Sequence, residues 1–259
     1  MDIVAHNRQA WDAEAEAGQS PWTQPVSPDV IAAARTGTWS VILTPLRTVP
    51  DGWFGPIQGA RLLALASGGG QQAPVLAAAG ATVTSFDNSG AQLDKDRAVA
   101  EREGLELTCM QGDMADLGAL PDDSFDIVFN PVSTVFVPDL EPVWTECRRV
   151  LKAGGRLMTG FMNPDFFLFD HEAIDKGGPL EVRHALPYAD TTHLDAGALA
   201  DLARRREALQ FGHSLDAQIG GLLRAGFRIE GFYEDRWSDE ATPLNAFMPT
   251  SFAMLAIAV

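Results

Sequence analysis

Between residues 60 and 162 the chain alternates five short apolar runs with segments that stop on glycine, and no other feature restricts its fold so tightly. The runs are ARLLALA, ATVTSF, LELTCMQ, FDIVFN and RLMTGFM, each of strand length. Between them, residues 72–79 read as a helix stopped by Gly80, residues 89–103 as one stopped by Gly104, and residues 140–152 as one stopped by Gly154 and Gly155. Strands and helices at this spacing imply parallel strands joined by right-handed crossovers, with helices on both faces. The predicted architecture is therefore α/β: a doubly wound, mostly parallel, Rossmann-like sheet. Two last apolar runs, FRIEGFYEDRW and TSFAMLAIAV, are joined by a modest loop and add an antiparallel terminal hairpin, for seven strands in all.

The remainder is organised around that core, and one domain spanning 1–259 is expected. Residues 1–58 form an N-terminal cover with helices expected at 9–17 and 28–36, the second capped by Ser27 with Pro28 at its first position. Residues 59–162 form the ligand-binding core. Residues 163–213, an excursion of about 50 residues, are too long for a simple connection and are expected to form a lid. Residues 214–259 supply the last helix and the hairpin. No run approaches the roughly 18 apolar residues of a membrane span, and the start has no basic region followed by an apolar one, so a cytoplasmic location is expected. Cys109 and Cys147 lack metal-ligand or secreted-disulfide spacing and are expected to be buried thiols. The formal net charge of −16 repels polyanions, which argues against nucleic acid as a substrate.

In a doubly wound sheet the ligand lies beyond the carboxyl ends of the strands, where strand order reverses. That places Ser67, Gly68, Gly69, Gly70, Gln71, Asp87, Gly112, Asp113, Met114 and Asn130 on one rim. Gly68, Gly70 and Ala73 fit G-x-G-x-x-G/A, and Asp87 lies 19 residues beyond Gly68, the spacing of a dinucleotide site with its ribose-binding acid. A phosphate loop is excluded because no Gly-Lys-Ser/Thr follows. A nicotinamide dehydrogenase of the short-chain type needs a Tyr four residues before a Lys, but Tyr188 and Tyr233 are followed at that distance by Thr192 and Trp237. A second acid on the rim, Asp113, suits a nucleoside without a pyrophosphate.

These pieces together resemble the class I S-adenosylmethionine-dependent methyltransferases. The resemblance rests on LLALASGGGQ, VTSFDNS, QGDMADL, SFDIVFNPVS and CRRVLKAGGRLMTGF, in that order, and covers about residues 60–160. It is closest to the small-molecule members related to quinone-biosynthesis enzymes. It implies S-adenosyl-L-methionine as the cofactor, with the backbone of Ser67–Gln71 passing it, Asp87 with Asn88 on the ribose, and Asp113 with Met114 at the adenine. The family usually has an acid and a glycine where this chain has Ala64 and Ala66, so Ser67, Gln71 and the Asn130 carbonyl are expected to serve the methionine end.

Methyl transfer to such an acceptor needs alignment and exclusion of water, and no metal. His213, just before the last helix, is the candidate base; His6, His171, His184 and His193 are read as surface groups. The aromatic residues of the cover and lid imply a closed pocket for a small molecule, with an O-, N- or C-nucleophile and an aromatic acceptor among the candidates. Two alternatives remain open at this point. One is a non-catalytic protein binding S-adenosylmethionine or S-adenosylhomocysteine; the other is a nicotinamide-dependent oxidoreductase. Oligomeric state is not legible.

Overall fold

The computed structural model describes residues 1–259. The cover begins with α1 (Ile3–Ala17) and α2 (Pro28–Arg35). The core follows as β1 (Arg61–Leu65), α3 (Gln72–Ala78), β2 (Thr82–Asp87), α4 (Gly90–Glu103), β3 (Leu107–Gln111), β4 (Phe125–Asn130), α5 (Glu141–Val150) and β5 (Leu151–Met162). The lid holds α6 (His171–Asp175), β6 (Tyr188–Ala189), α7 (Asp190–His193), α8 (Ala196–Arg205) and β7 (Phe211–Gly212). A π-turn at Asp216–Gly220, α9 (Gly221–Arg224), β8 (Phe227–Asp235) and β9 (Ser251–Ala258) complete the chain.

The main sheet has the order β3-β2-β1-β4-β5-β9-β8, parallel through β5, with β9 antiparallel to both β5 and β8. Strand order reverses between β1 and β4, which sets the ligand position at their carboxyl ends. Side chains alternate across β1. Leu63 and Leu65 pack toward Trp144 and Cys147 of α5 on one face, and Leu62 and Ala64 toward Ile31 of α2 and Leu76 of α3 on the other. Both faces are buried, as expected for parallel strands.

Three elements differ from the sequence reading. The first helix starts at Ile3 instead of residue 9, because Asp2 accepts a hydrogen bond from Ala5 N and caps it. The helix before β5 ends at Val150, ahead of the glycines, because fully buried Leu151 pairs with Phe125 and already belongs to the strand. The last helix is divided: Ser214 does cap it, accepting from Ala217 N, but its first turns are π and only Gly221–Arg224 is α.

The cover lies directly on the sheet. Segment 41–45 crosses β5 at Gly160, where a Cβ would sit 2.1 Å from the Leu43 carbonyl oxygen. That carbonyl accepts from Val132 N at 2.9 Å, so it cannot retreat without losing a bond to the rim. Trp39 meets Phe54 edge-on at 4.9 Å, and Phe54 stacks on Phe129 of β4 at 6.2 Å. Gly160→Ala is expected to destabilise the fold by about 1–3 kcal/mol through this clash, read as a lowered urea midpoint. An unchanged midpoint would mean that segment 41–45 moves freely.

The lid is held at its base by the short β6–β7 ladder, Tyr188 opposite Gly212 and Ala189 opposite Phe211. It is tied to the cover by Asn7, whose amide nitrogen donates to Phe136 O and Leu209 O while its oxygen accepts from Leu209 N. No helix is long and apolar enough to cross a membrane.

Candidate active site

A cavity of about 1080 Å³ lies beyond the carboxyl ends of β1, β2, β3 and β4, roofed by the cover and the lid. This is at the upper end of the volumes that single small ligands occupy, so it has room for a nucleoside cofactor and a small acceptor together. Two aromatic pairs close its sides: Trp11 of α1 against Phe136 at 5.1 Å, and Trp22 against Trp237 at 5.8 Å.

The cavity wall brings together Ser67, Gly68, Gln71, Asp87, Asn88, Asp113 and Met114. Asp87, at the end of β2, is oriented by two backbone donors, Gly68 N at 3.0 Å and Ser89 N at 2.9 Å. Burial pushes its carboxyl above the usual range, against the lowering effect of those bonds. Asp113 is fixed in the same way by Ala115 N at 3.0 Å. The Asn88 side chain reaches into the cover, donating to Val4 O at 2.9 Å and accepting from Arg8 Nε at 3.1 Å.

Gly69, Gly70 and Asn130 do not reach the wall. Gly69 and Gly70 have φ of +119° and +77° and face the cover: a Cβ on Gly69 would lie 2.6 Å from Trp22 O, and one on Gly70 3.0 Å from Pro25 Cβ. Gly70 N donates to the buried Asp96 of α4. Asn130 is fully buried, donating to Leu65 O and Ser133 Oγ and accepting from Thr159 Oγ1, so its side chain is consumed in bracing the end of β4.

His213 also lies off the wall. Its Nε2 is within hydrogen-bonding distance of two carbonyls, Val137 O at 2.9 Å and Thr134 O at 3.1 Å, and burial lowers its pKa. The Nε2–H is spent on the backbone, so His213 fixes the loop after β4 and is not placed to take a proton from an acceptor. His6 and His171 likewise bond to carbonyls, of Glu207 and Phe166.

The methyltransferase domain family matches residues 63–159. The chain is 50% identical over 234 residues to YbaJ, an uncharacterized methyltransferase of Bacillus subtilis, covering 90% of this chain and 91% of that protein. The chain belongs to the methyltransferase family. A shorter match, 38% identical over 101 residues, links it to a sterol 24-C-methyltransferase of Aspergillus fumigatus, covering 38% of this chain and 26% of that one. An S-adenosylmethionine-dependent methyltransferase from Mesorhizobium loti has the same fold, with a TM-score of 0.60 at 20% identity over 80% of this chain and 94% of that one.

Against the family pattern, the two alanines of this methyltransferase have different meanings. Ala66 has φ +48°, the left-handed region, with its N–H held by Phe86 O at 2.7 Å. The fold demands that conformation, and keeping an alanine there costs about 1–2 kcal/mol of strain. Ala64 is fully buried beneath the cover, off the cavity wall, so an acid there would face apolar side chains.

Several wall residues of the methyltransferase escaped the sequence reading. Gln92 of α4 and Phe86 of β2 come in from the core, Asn7 from the cover, and Asp190 from the lid. Gln72 also reaches the wall, and segment 42–45 passes over it, with Ile42 N bonding Gln72 Oε1. None carries a local motif; a helical period places Gln92 and Asn7 on an inward face, but nothing in it distinguishes ligand from core.

Proposed function

We propose that this methyltransferase uses S-adenosyl-L-methionine as donor and transfers its methyl group to a small molecule bound under the lid. The observation that carries this reading is the carboxylate of Asp87 in the cavity wall, oriented by two backbone donors, with two orphaned polar atoms on neighbouring residues. Ser67 Oγ and Gln92 Oε1 are buried without any hydrogen-bond partner, beside the oriented carboxylate of Asp87. Gln218 Oε1 and Asn245 Oδ1 are also without partners, but only Ser67 and Gln92 belong to residues that line the cavity, which fits a ligand bound beside Asp87.

The residues suit the donor along its length. Asp87 retains outward lone pairs for the ribose hydroxyls, and Asp113 with Met114 meets the adenine edge. At the amino-acid end, neutral groups replace the usual acid. Gln71 Nε2 is committed to Pro21 O and Gln24 O, which leaves its Oε1 as an acceptor, while Gln72 Oε1 is committed to Ile42 N, which leaves its Nε2 as a donor. When bound, S-adenosylmethionine supplies a methyl group already activated on a sulfonium. The chain's own residues align the acceptor and keep water out, through the Trp11–Phe136 and Trp22–Trp237 walls.

The reading places the enzyme in the cytosol, which its two free cysteines support, and excludes nucleic acid as acceptor, which the net charge of −16 supports. Calorimetry with S-adenosylhomocysteine and NADH tests it. S-adenosylhomocysteine is expected to bind and NADH not; the reverse would overturn the donor assignment. Transfer of labelled methyl from the donor to some compound of a metabolite extract is expected, and firm binding without any transfer would indicate a sensor instead.

A further inference from the structure

The half of the cavity under the lid is chemically one-sided. Its wall carries Asp170, Glu172, Asp175, Asp190 and Glu207, of which Glu172 is paired with Lys176 and Glu207 with Arg205, and Arg205 is the one Lys or Arg on the whole wall. Arg205 is already engaged, bonded to Asp201 at 3.1 Å and to Glu207 at 3.2 Å. His171 offers no cation, since burial lowers its pKa and its ring stacks on Phe166 at 3.7 Å. His184 stands 5.1 Å from the Tyr188 ring. Asp170, Asp175 and Asp190 are left without a Lys or Arg partner, which disfavours an anionic acceptor.

Tyr188 and Asp190 give this acidic wall a direction. Tyr188 Oη donates to Asp190 Oδ1 at 2.7 Å, and Asp190 Oδ2 accepts from Gln210 N at 2.7 Å, with Asp190 only 7% exposed. The ring of Tyr188 is clamped between Phe167, stacked at 5.4 Å, and His193 at 4.7 Å. A tyrosine hydroxyl has one hydrogen and two lone pairs. With its hydrogen spent on Asp190, Tyr188 can only accept, so it cannot anchor a carboxylate, a phosphate or a carbonyl. It can anchor a group that brings its own hydrogen. Polarisation by the carboxylate makes it a stronger acceptor than a free phenol.

Resting on the donor assignment above, we propose that the acceptor is an amine that enters as an ammonium ion and is recognised by an N–H hydrogen bond to Tyr188 Oη, which Asp190 positions; before transfer the nitrogen passes this proton to Tyr188 Oη as the Tyr188 hydrogen moves to Asp190 Oδ1, and the freed lone pair takes the methyl group as the bond to sulfur breaks and S-adenosylhomocysteine is left. The aromatic walls of Trp11, Phe136 and Phe166 suit the apolar body of such a molecule and attract its positive end. An alcohol satisfies the hydrogen-bond requirement but not the charge; an acid satisfies neither.

The test is calorimetry on the full chain saturated with S-adenosylhomocysteine. The probes are phenethylammonium, 2-phenylethanol and phenylacetate, with n-hexylammonium, 1-hexanol and hexanoate as an aliphatic set. In at least one set the ammonium is expected to bind ten-fold or more tightly than the carboxylate, with the alcohol between. Tyr188→Phe is expected to weaken the ammonium by about 10- to 100-fold, for loss of a hydrogen bond to a charged group, with the S-adenosylhomocysteine affinity unchanged. Asp190→Asn keeps the shape and removes the charge, and is expected to narrow the gap between ammonium and alcohol. Equal or tighter binding of the carboxylate, no binding of either ammonium, or full ammonium affinity in Tyr188→Phe overturns the proposal while leaving the donor assignment intact. Failure of the wild-type chain to bind S-adenosylhomocysteine overturns the donor assignment first, and this inference with it.

Discussion

Asp87→Asn is expected to weaken S-adenosylhomocysteine binding by about 10- to 100-fold, the cost of roughly 1.5–3 kcal/mol for a hydrogen bond to a charged group. The wild-type carboxylate accepts Gly68 N through Oδ2 and Ser89 N through Oδ1, so both oxygens are already aimed by the backbone. The ribose hydroxyls would use the lone pairs that remain. An asparagine can keep one of the two backbone bonds but must turn an NH2 toward the other donor. The substitution therefore removes charge from the ribose site and loosens the turn that carries Gly68. Because Asp87 also braces that turn, a drop of about 1–2 kcal/mol in unfolding free energy should accompany the loss. Titration calorimetry on folded variant separates the two effects. Unchanged affinity would mean that the ribose does not lie at Asp87.

The second large effect concerns stability and pH. Asp96 of α4 is fully buried beneath the glycine loop, accepting from Ser85 Oγ at 2.6 Å and from Gly70 N at 2.7 Å. Burial raises its pKa from 3.8 to about 7, with the neighbouring Asp87 adding to the shift. The folded chain thus holds this proton more tightly than the unfolded chain. The corresponding stabilisation is fully present below pH 3.8 and is lost as pH rises to about 7. Asp96→Asn can keep both bonds, since its oxygen accepts from Gly70 N and its amide donates to Ser85 Oγ. The variant carries no titrating group. It is expected to match the wild type near pH 4 and to exceed it by roughly 2–4 kcal/mol at pH 8. Urea unfolding at the two pH values checks this. A difference between the chains that does not change with pH would refute it.

Legibility in the sequence followed a physical divide. The strands of the core could be read because both faces of a parallel sheet are buried, which forces continuous apolar runs bounded by glycine stops. The rim could be read because backbone geometry and a ribose-binding acid leave a spacing, Gly68 to Asp87, that survives in one dimension. The glycine loop was legible only in part. Gly68 faces the cavity, but Gly69 and Gly70 are required by the approach of Trp22 and Pro25, residues that lie far away along the chain. Asn130, whose carbonyl was expected to face the methionine end, was placed correctly at the end of β4, but the residue lies behind the cavity wall with its side chain turned inward to Leu65 and Ser133. His213 was near enough in sequence to the lid to suggest a base, and two carbonyls from the loop after β4 claimed it.

The sequence by itself therefore determined the α/β architecture, the strand edge on which the ligand lies, and the resemblance to a methyltransferase. These depend on local periodicity and short spacings, which the chain records directly. Tertiary structure alone decided which polar groups stay free. Whether Ser67 Oγ is orphaned, whether Arg205 is already paired, and whether the Tyr188 hydrogen is spent on Asp190 depend on partners brought in by folding. The same dependence separates the two alanines of the first strand: Ala66 marks a left-handed turn that the fold imposes, while Ala64 lies under the cover, where only an apolar side chain can be desolvated without penalty.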